Sequence, residues 1–241
     1  MNIIIPLGGK GERFSKNGYT DPKPLIKIFN KCMIEYVLDN ISLDINDKVF
    51  IIYNNNLENY NFSNIINEKY SNIKLIQIND TKGAAETLFL GISNIFNNHE
   101  YHNKSIILDC DTFYTEDILT TFRNSKNNVV FYTKNYLKLP IYSYIELDEN
   151  SKIIKIKEKE KISDNANTGA YAFININELY NYCKYVIDNN IYFNNEPYTS
   201  CVISEMLKDG LIFMGAELDE KCVISLGTPE AVNNYILIKN N

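Results

Sequence analysis

The sequence predicts an α/β three-layer sandwich around a mixed, mainly parallel sheet, and two observations carry that reading. Four nearly continuous apolar runs of strand length, Ile3–Leu7, Val49–Tyr53, Ile73–Ile78 and Ser105–Leu108, alternate with longer segments of helical spacing. Strands without polar alternation are buried on both faces, which calls for helices above and below a parallel sheet. Beyond Asp111 the runs Val129–Thr133, Tyr142–Leu147 and Ile153–Lys157 alternate instead, with a turn expected at Asp148-Glu149-Asn150-Ser151. That texture predicts an antiparallel portion.

The helices follow from spacing. Met33–Ile41 and Ala84–Phe96 read as helices of the first half, the second with Leu88, Ile92, Ile95 and Phe96 on one face. Helix returns near the end at Asn177–Asn189 and Thr199–Lys208. The whole is Rossmann-like. With 241 residues, 45% of them hydrophobic, the chain suits a single domain with a sizeable core.

Charge narrows the function classes. Lys and Arg total 24 against 30 Asp and Glu, a net charge of −6, so the chain is a poor coat for nucleic acid or anionic membrane. Any phosphate chemistry must rest on a few placed cations, and Arg13 and Arg123 are the two arginines. The five cysteines are odd in number, scattered and lack a Cys-x-x-Cys pair, which argues against a disulfide framework or a structural zinc and for a reducing compartment. No basic leader and no run near the ~20 apolar residues of a membrane helix is found, so a soluble cytoplasmic protein is expected. The sequence does not specify an oligomeric state.

The first strand opens into Leu7-Gly8-Gly9-Lys10-Gly11-Glu12-Arg13-Phe14. Glycines after a buried strand permit positive φ and let backbone N–H groups face an anion. The third glycine of the dinucleotide pattern is missing, and no Ser or Thr follows a Gly-Lys pair as a Walker loop requires. A glycine turn without a ligand is the plain alternative, and two neighbours tell against it. Arg13 follows at once, where a guanidinium can hold two phosphate oxygens. Asp21-Pro22-Lys23-Pro24-Leu25 then stiffens the chain around a single lysine.

Ile106-Ile107-Leu108-Asp109-Cys110-Asp111-Thr112 places two carboxylates two residues apart at a strand end. Alternation puts them on one face at the carboxyl edge, where open α/β sheets bind ligands. Hard oxygen donors there suit Mg²⁺, which takes one or two carboxylates together with phosphates and water. The alternative is a helix start, with Asp111-Thr112 opening a helix over Thr115–Phe122. His99-Glu100-Tyr101-His102 has the spacing of a ligand pair, but it falls in a polar loop and is set aside as a metal site.

These elements together, with Met33-Ile34-Glu35-Tyr36 after the lysine motif, resemble the nucleotidyltransferases that activate sugar 1-phosphates, whose members carry Gly-Gly-x-Gly-x-Arg followed by Pro-Lys-Pro. The resemblance spans nearly the whole chain and implies their GT-A-like fold. It implies that residues 1–125 form a nucleotide-binding half, with backbone from Leu7 through Gly8, Gly9 and Gly11 holding base and ribose. Arg13 would meet the β- and γ-phosphates, Lys23 the α-phosphate, and Asp111 a Mg²⁺ ion, with Asp109 in support. Thr81-Lys82-Gly83-Ala84-Ala85 opens a helix with residues small enough for a flat base to lie against; in the family Gly83, Ala84 and Ala85 read its edge, whereas close helix–sheet packing is the bland explanation.

Residues 126–241 are then the acceptor-binding half. Lys157-Glu158-Lys159-Glu160-Lys161 is by itself a solvated charge run. Followed by Asn167-Thr168-Gly169-Ala170-Tyr171, it resembles the family's acceptor elements: Lys159 would grip the acceptor phosphate, Lys161 being the substitute, with Glu158, Asn167 and Gly169 alongside. Tyr142 and Ser143 stand where sugar-specific members have a Tyr-Gly pair, and Glu196 and Tyr198 near a helix start would contact an acceptor ammonium or hydroxyl, a helix cap and a core aromatic being the equal alternative. A second departure is Ser225-Leu226-Gly227-Thr228-Pro229-Glu230, with serine where the family commonly supplies a second metal aspartate. The expected activity joins an NTP, CTP favoured, to a small phosphorylated acceptor and releases pyrophosphate. The nearest likeness is to capsule-pathway CTP:phosphoglutamine cytidylyltransferases, which serve surface polysaccharide synthesis. A sugar-1-phosphate nucleotidylyltransferase using UTP, dTTP or GTP is the close alternative; an NDP-sugar-dependent glycosyltransferase and a non-catalytic nucleotide-binding module are alternatives of other classes.

Overall fold

The structure is a computed structural model that describes residues 1–9 and 11–240; Lys10, within the glycine loop, and Asn241 lie outside the described residues. The chain opens with strand β1 (Asn2–Leu7), the single-turn helix α1 (Glu12–Ser15) and a small ribbon of β2 (Lys27–Ile28) and β3 (Lys31–Cys32). Next come α2 (Met33–Asp39), β4 (Lys48–Asn54), α3 (Phe62–Lys69), β5 (Ile73–Ile78), α4 (Ala84–Asn98) and β6 (Ser105–Leu108). The middle holds β7 (Thr112–Tyr114), α5 (Ile118–Asn124), β8 (Asn128–Lys134), β9 (Ser143–Leu147), β10 (Ile153–Glu158) and β11 (Asn165–Phe173). Helices α6 (Ile176–Asp188) and α7 (Thr199–Lys208), strands β12 (Phe213–Glu217) and β13 (Val223–Ser225), and helix α8 (Pro229–Asn240) follow.

One nine-stranded sheet runs through both halves. Its main order is β10-β9-β11-β6-β1-β4-β5, with β8 also on β11 and β12 on β8. Strands β1, β4, β5 and β6 pair in parallel, β11 runs against β6, β8 and β9, and β10 against β9. Since β12 is parallel to β8, seven of the nine strands share one direction and β10 and β11 oppose it. The sheet is mixed and mainly parallel, as expected.

The pleat explains the layers. Ile3 and Ile5 on β1 face one core with Ile51, Ile106 and Phe131, covered by α2, α3, α5 and α8 through Val37, Phe62, Phe122 and Val232. Ile4 faces the other with Phe50, Ile52, Ile107 and Val130, covered by α4, α6 and α7 through Leu88, Leu179 and Val202. Burial on both faces is what the unbroken apolar runs require.

The chain leaves β1 outward to β4 and β5, then crosses back to β6 on the other side of β1. The strand order therefore reverses between β1 and β6, and open α/β sheets bind ligands outside the carboxyl ends at such a point. The glycine loop leaves the carboxyl end of β1 and Asp109 follows that of β6.

Several elements depart from expectation. Asp111-Thr112 opens no helix: Thr112–Tyr114 forms β7 against β13, with Ser225 opposite Thr112, and α5 begins at Ile118 where the Asp117 side chain accepts the Thr120 N–H at 3.0 Å. Strand β6 ends at Leu108, so a turn rather than strand alternation carries Asp109 and Asp111. Strand β11 is buried at all nine positions although Asn, Ala, Thr and Gly give it little intrinsic strand signal. It exists because β6, β8 and β9 supply its hydrogen bonds. Strands β12 and β13 and helix α8 lie beyond Lys208, where the sequence reading assigns no element.

Asn2, fully buried in a strand of isoleucines, is tolerated because its amide is satisfied on every side. Its Nδ2 donates to His102 O at 2.7 Å and Ser105 Oγ at 2.8 Å, and its Oδ1 accepts the His102 N–H at 2.9 Å. Asn2→Leu strands a buried donor and acceptor in the turn before β6, so a loss of about 1–3 kcal/mol is expected in urea unfolding.

Candidate active site

One part of the site is assembled around Lys23. Gly11 takes φ 65° and caps α1, a left-handed conformation that favours glycine, and it lies against the Lys23 side chain. Gly8 sits so close to the Thr81–Thr87 hydroxyl pair that a Cβ would come within 2.0 Å of Thr87 Oγ1. The loop after β1 is thereby packed onto the start of α4, where Gly83, Ala84 and Ala85 lie. Lys23 begins a 3₁₀ turn whose Pro22 and Pro24 fix the chain, and its ammonium forms an ion pair with the Asp111 carboxylate.

This pair sets the local electrostatics. Burial opposes charge on Lys23, but Asp111, Cys110 and Asp109 together hold its ammonium well above the usual lysine range. Burial likewise opposes charge on Asp111, and Lys23, with a smaller contribution from Arg13, outweighs it and lowers the carboxyl. Asp109 behaves in the opposite way. Burial of its carboxyl, then the Asp111 charge, raises it from 3.8 to about 7. Cys110 between them is pushed up to about 12 by burial, so it holds a thiol rather than a nucleophilic thiolate. Arg13 projects from α1 at an exposed position, and its charge is felt at Asp111, Tyr142 and Tyr198.

The hard carboxylate oxygens of Asp111 and Asp109 are donors that fit Mg²⁺, which is satisfied by one or two protein carboxylates together with phosphates and water. Among the described residues no three His, Cys, Asp or Glu side chains converge as a metal cage. The strand carrying Ser225 returns to this point: the Leu226 N–H donates to Asp111 O at 2.6 Å, while Ser225 itself is exposed.

A second group of residues gathers on β11 and at the end of β10. Gly169, at φ 87°, accepts the Asp109 N–H on its carbonyl at 2.9 Å and lies against the Asp109 carboxylate. Asn167 accepts the Gly169 N–H at 2.6 Å, and its Nδ2 is buried without a partner among the described residues, an unmet donor beside the site. Lys159, at φ 48°, donates from Nζ to the Tyr198 hydroxyl at 2.6 Å and lies 4.5 Å from that ring's centroid. Its backbone N–H is held by Tyr142 O at 2.9 Å. Burial raises the Glu158 carboxyl against the pull of Ser200, whose hydroxyl donates to it at 2.7 Å, and of Lys159. Burial, then Glu196, holds the Tyr198 phenol protonated. Ser143 is buried, pairs with Glu158 across β9–β10 and interacts through its side chain with Tyr171.

Other candidates separate from the site. Lys161 is committed elsewhere, its Nζ bound to Asn135 O at 3.0 Å, Leu137 O at 2.9 Å and Asp164 at 2.9 Å. Arg123 is tied to Asp44 and Asp47, and the His102 ring to Asn46 O at 2.8 Å, so both serve the opposite edge of the sheet. Ser200 and Pro197 reach the site without any sequence signal, since each acts through a partner tens of residues away, whereas Tyr171 closes the Asn167–Tyr171 segment.

Comparison with known proteins places this geometry. A family model described as nucleotidyl transferase matches residues 2–193. The bifunctional protein GlmU of Methanocaldococcus jannaschii is 24% identical over 177 residues, 72% of this chain and 40% of that protein. The chain spans about 40% of the length of the curated relatives it matches. Among solved structures, the nucleoside-diphosphate-sugar pyrophosphorylase from Vibrio cholerae superposes with TM-score 0.87 at 20% identity, covering 98% of this chain and 99% of the other. The inositol-1-phosphate CTP transferase from T. maritima gives TM-score 0.72 at 15% identity, with coverage of 98% and 92%. At these identities the two structures establish a shared fold.

The raised carboxyl of Asp109 has a consequence for stability. Ionising it opposes folding, so its contribution is intact below pH 3.8 and is lost as the pH rises through about 7. Asp109→Asn is therefore expected to raise the urea midpoint at pH 7.5 relative to wild type, measured with chelator present, and to lose that advantage by pH 4.

Proposed function

Because this chain belongs to the nucleotidyl transferase family, we propose that it joins the nucleotidyl group of an NTP, CTP favoured, to a small phosphorylated acceptor and releases pyrophosphate. The observation that carries the reading is the Lys23–Asp111 ion pair at the strand-order reversal, with the glycine loop packed against Lys23. Residues 1–125 hold the nucleotide, through Leu7, Gly8, Gly9, Gly11, Gly83, Ala84, Ala85 and Asp109, and residues 126–241 hold the acceptor. Arg13 binds the β- and γ-phosphates and Lys23 the α-phosphate. Lys159 holds the acceptor phosphate, with Glu158, Asn167, Gly169, Glu196, Tyr198, Tyr142 and Ser143 around it.

An acceptor phosphate oxygen attacks the α-phosphorus in line. A new P–O bond forms as the bond from the α-phosphorus to the bridging oxygen breaks, and pyrophosphate departs with that electron pair. A phosphate dianion attacks readily once aligned, so catalysis is positioning plus cationic stabilisation by Arg13, Lys23 and Lys159. A Mg²⁺ held by Asp111, with Asp109 in support, would add charge neutralisation of the triphosphate when bound.

A non-sugar acceptor such as phosphoglutamine is supported by Ser143, and a product used in capsule or surface polysaccharide synthesis follows from the likeness to capsule-pathway cytidylyltransferases. The Ser143 side chain is buried and turned to Tyr171 where sugar-specific relatives have glycine. The sugar-1-phosphate reading draws equal support from the likeness to a nucleoside-diphosphate-sugar pyrophosphorylase. Pyrophosphate release measured for four NTPs crossed with sugar 1-phosphates, phosphocholine and phosphoglutamine decides between them. Release with CTP and a non-sugar phosphate is expected, and silence in every pairing would sink the transferase reading. With excess Mg²⁺ present, Lys23→Ala is expected to lower kcat by about 10²–10³.

A further inference from the structure

Between the two sides of the site runs a short segment whose shape its own backbone fixes. Asn194 and Asn195 take φ 48° and 65°, the paired positive values of a type I′ turn, which asparagine adopts more readily than most residues. The flanking residues close the turn reciprocally: the Phe193 N–H donates to Glu196 O at 2.9 Å and the Glu196 N–H to Phe193 O at 3.0 Å. Pro197 follows and is buried, between exposed Glu196 and half-buried Tyr198.

Pro197 abuts the start of α4. Its carbonyl accepts the Ala85 N–H at 2.8 Å, and a Cβ added to Gly83 would lie 2.8 Å from Pro197 Cδ and 3.0 Å from its oxygen. One residue on, the Tyr198 hydroxyl is bound to Lys159 Nζ at 2.6 Å, and Ser200 holds Glu158 at 2.7 Å. Two adjacent residues, Pro197 and Tyr198, thus touch the helix start proposed to read the base and the lysine proposed to hold the acceptor.

We propose that Pro197 is a positioning residue that couples the two: a base laid on Gly83–Ala85 moves that loop against Pro197, and the motion reorients Tyr198 and with it Lys159. The contact has no slack to absorb the displacement, because packed atoms resist compression and the proline ring fixes its own φ. The effect is a coupling free energy between two sites, which favours the acceptor once the nucleotide is in place. This inference rests on the nucleotidyl-transfer reading of the site.

The test uses nucleosides, which carry a base but no phosphate for Lys23, Arg13 or Lys159 to grip. Cytidine, uridine, thymidine and guanosine are titrated separately into the full chain, following the Gly83 and Ala85 amides and the ¹³C-labelled Lys159 side chain by NMR. In wild type the Lys159 signal is expected to shift with the same midpoint as Ala85. In Pro197→Gly the Ala85 shift should persist while the Lys159 shift falls below about one third of its wild-type size, an uncoupling that a merely structural role does not produce. Should Pro197→Gly fail to fold, Tyr198→Phe carries the same expectation, since it removes the hydroxyl that reaches Lys159 Nζ. A silent Lys159 in wild type while Ala85 shifts, or an undiminished Lys159 shift in the variant, overturns the coupling alone. No shift at Gly83 or Ala85 with any nucleoside overturns the base-loop reading and the coupling with it.

Discussion

Lys23 and Asp111 are tolerated at the head of the sheet because each neutralises the other. Withdrawing either charge from water by itself costs several kcal/mol, and removing one partner of such a pair leaves the other buried and uncompensated. The pair faces the crevice where strand order reverses, with Gly11 packed on the lysine and Ser225–Leu226 returning beside the aspartate. A preformed cation and anion at that point are suited to a polyanionic ligand and a divalent ion arriving together: the lysine can turn to phosphate as the carboxylate turns to metal.

The surroundings of Lys159 follow a similar logic with softer means. Lys159 is held by a phenol and its ring rather than by a full carboxylate, with Glu158 3.9 Å away and itself engaged by Ser200. A cation restrained in this way keeps its charge available to a phosphate. Asn167 adds a buried amide donor without a partner among the described residues, in a protein where buried polar groups are ordinarily satisfied.

Much of this was legible because the signals were local. Apolar runs fixed β1, β4, β5 and β6, since a strand buried on both faces leaves an unbroken pattern. The glycine loop, Pro22-Lys23-Pro24 and Asp109-Cys110-Asp111 were visible for the same reason: backbone freedom, stiffness and charge belong to neighbouring residues. Strand β11 was not visible, because its small and polar residues become a strand through the neighbours on either side. The turn at Asp109–Asp111 also escaped the strand-alternation argument, because β6 ends one residue too early.

Composition, apolar periodicity and short motifs therefore determined the layers, the charge economy and the residues proposed to meet phosphate. Which of several similar cations serves was decided by tertiary structure. Lys161 and Lys159 are two residues apart in one charge run, yet one clamps a loop and the other faces Tyr198. Arg123 is spent on Asp47 at the far edge while Arg13 projects toward the crevice. The physical reason is that a side chain's role depends on its partners in space, and those partners, Asp111 for Lys23 and Pro197 for Gly83, lie 88 residues and over a hundred residues along the chain.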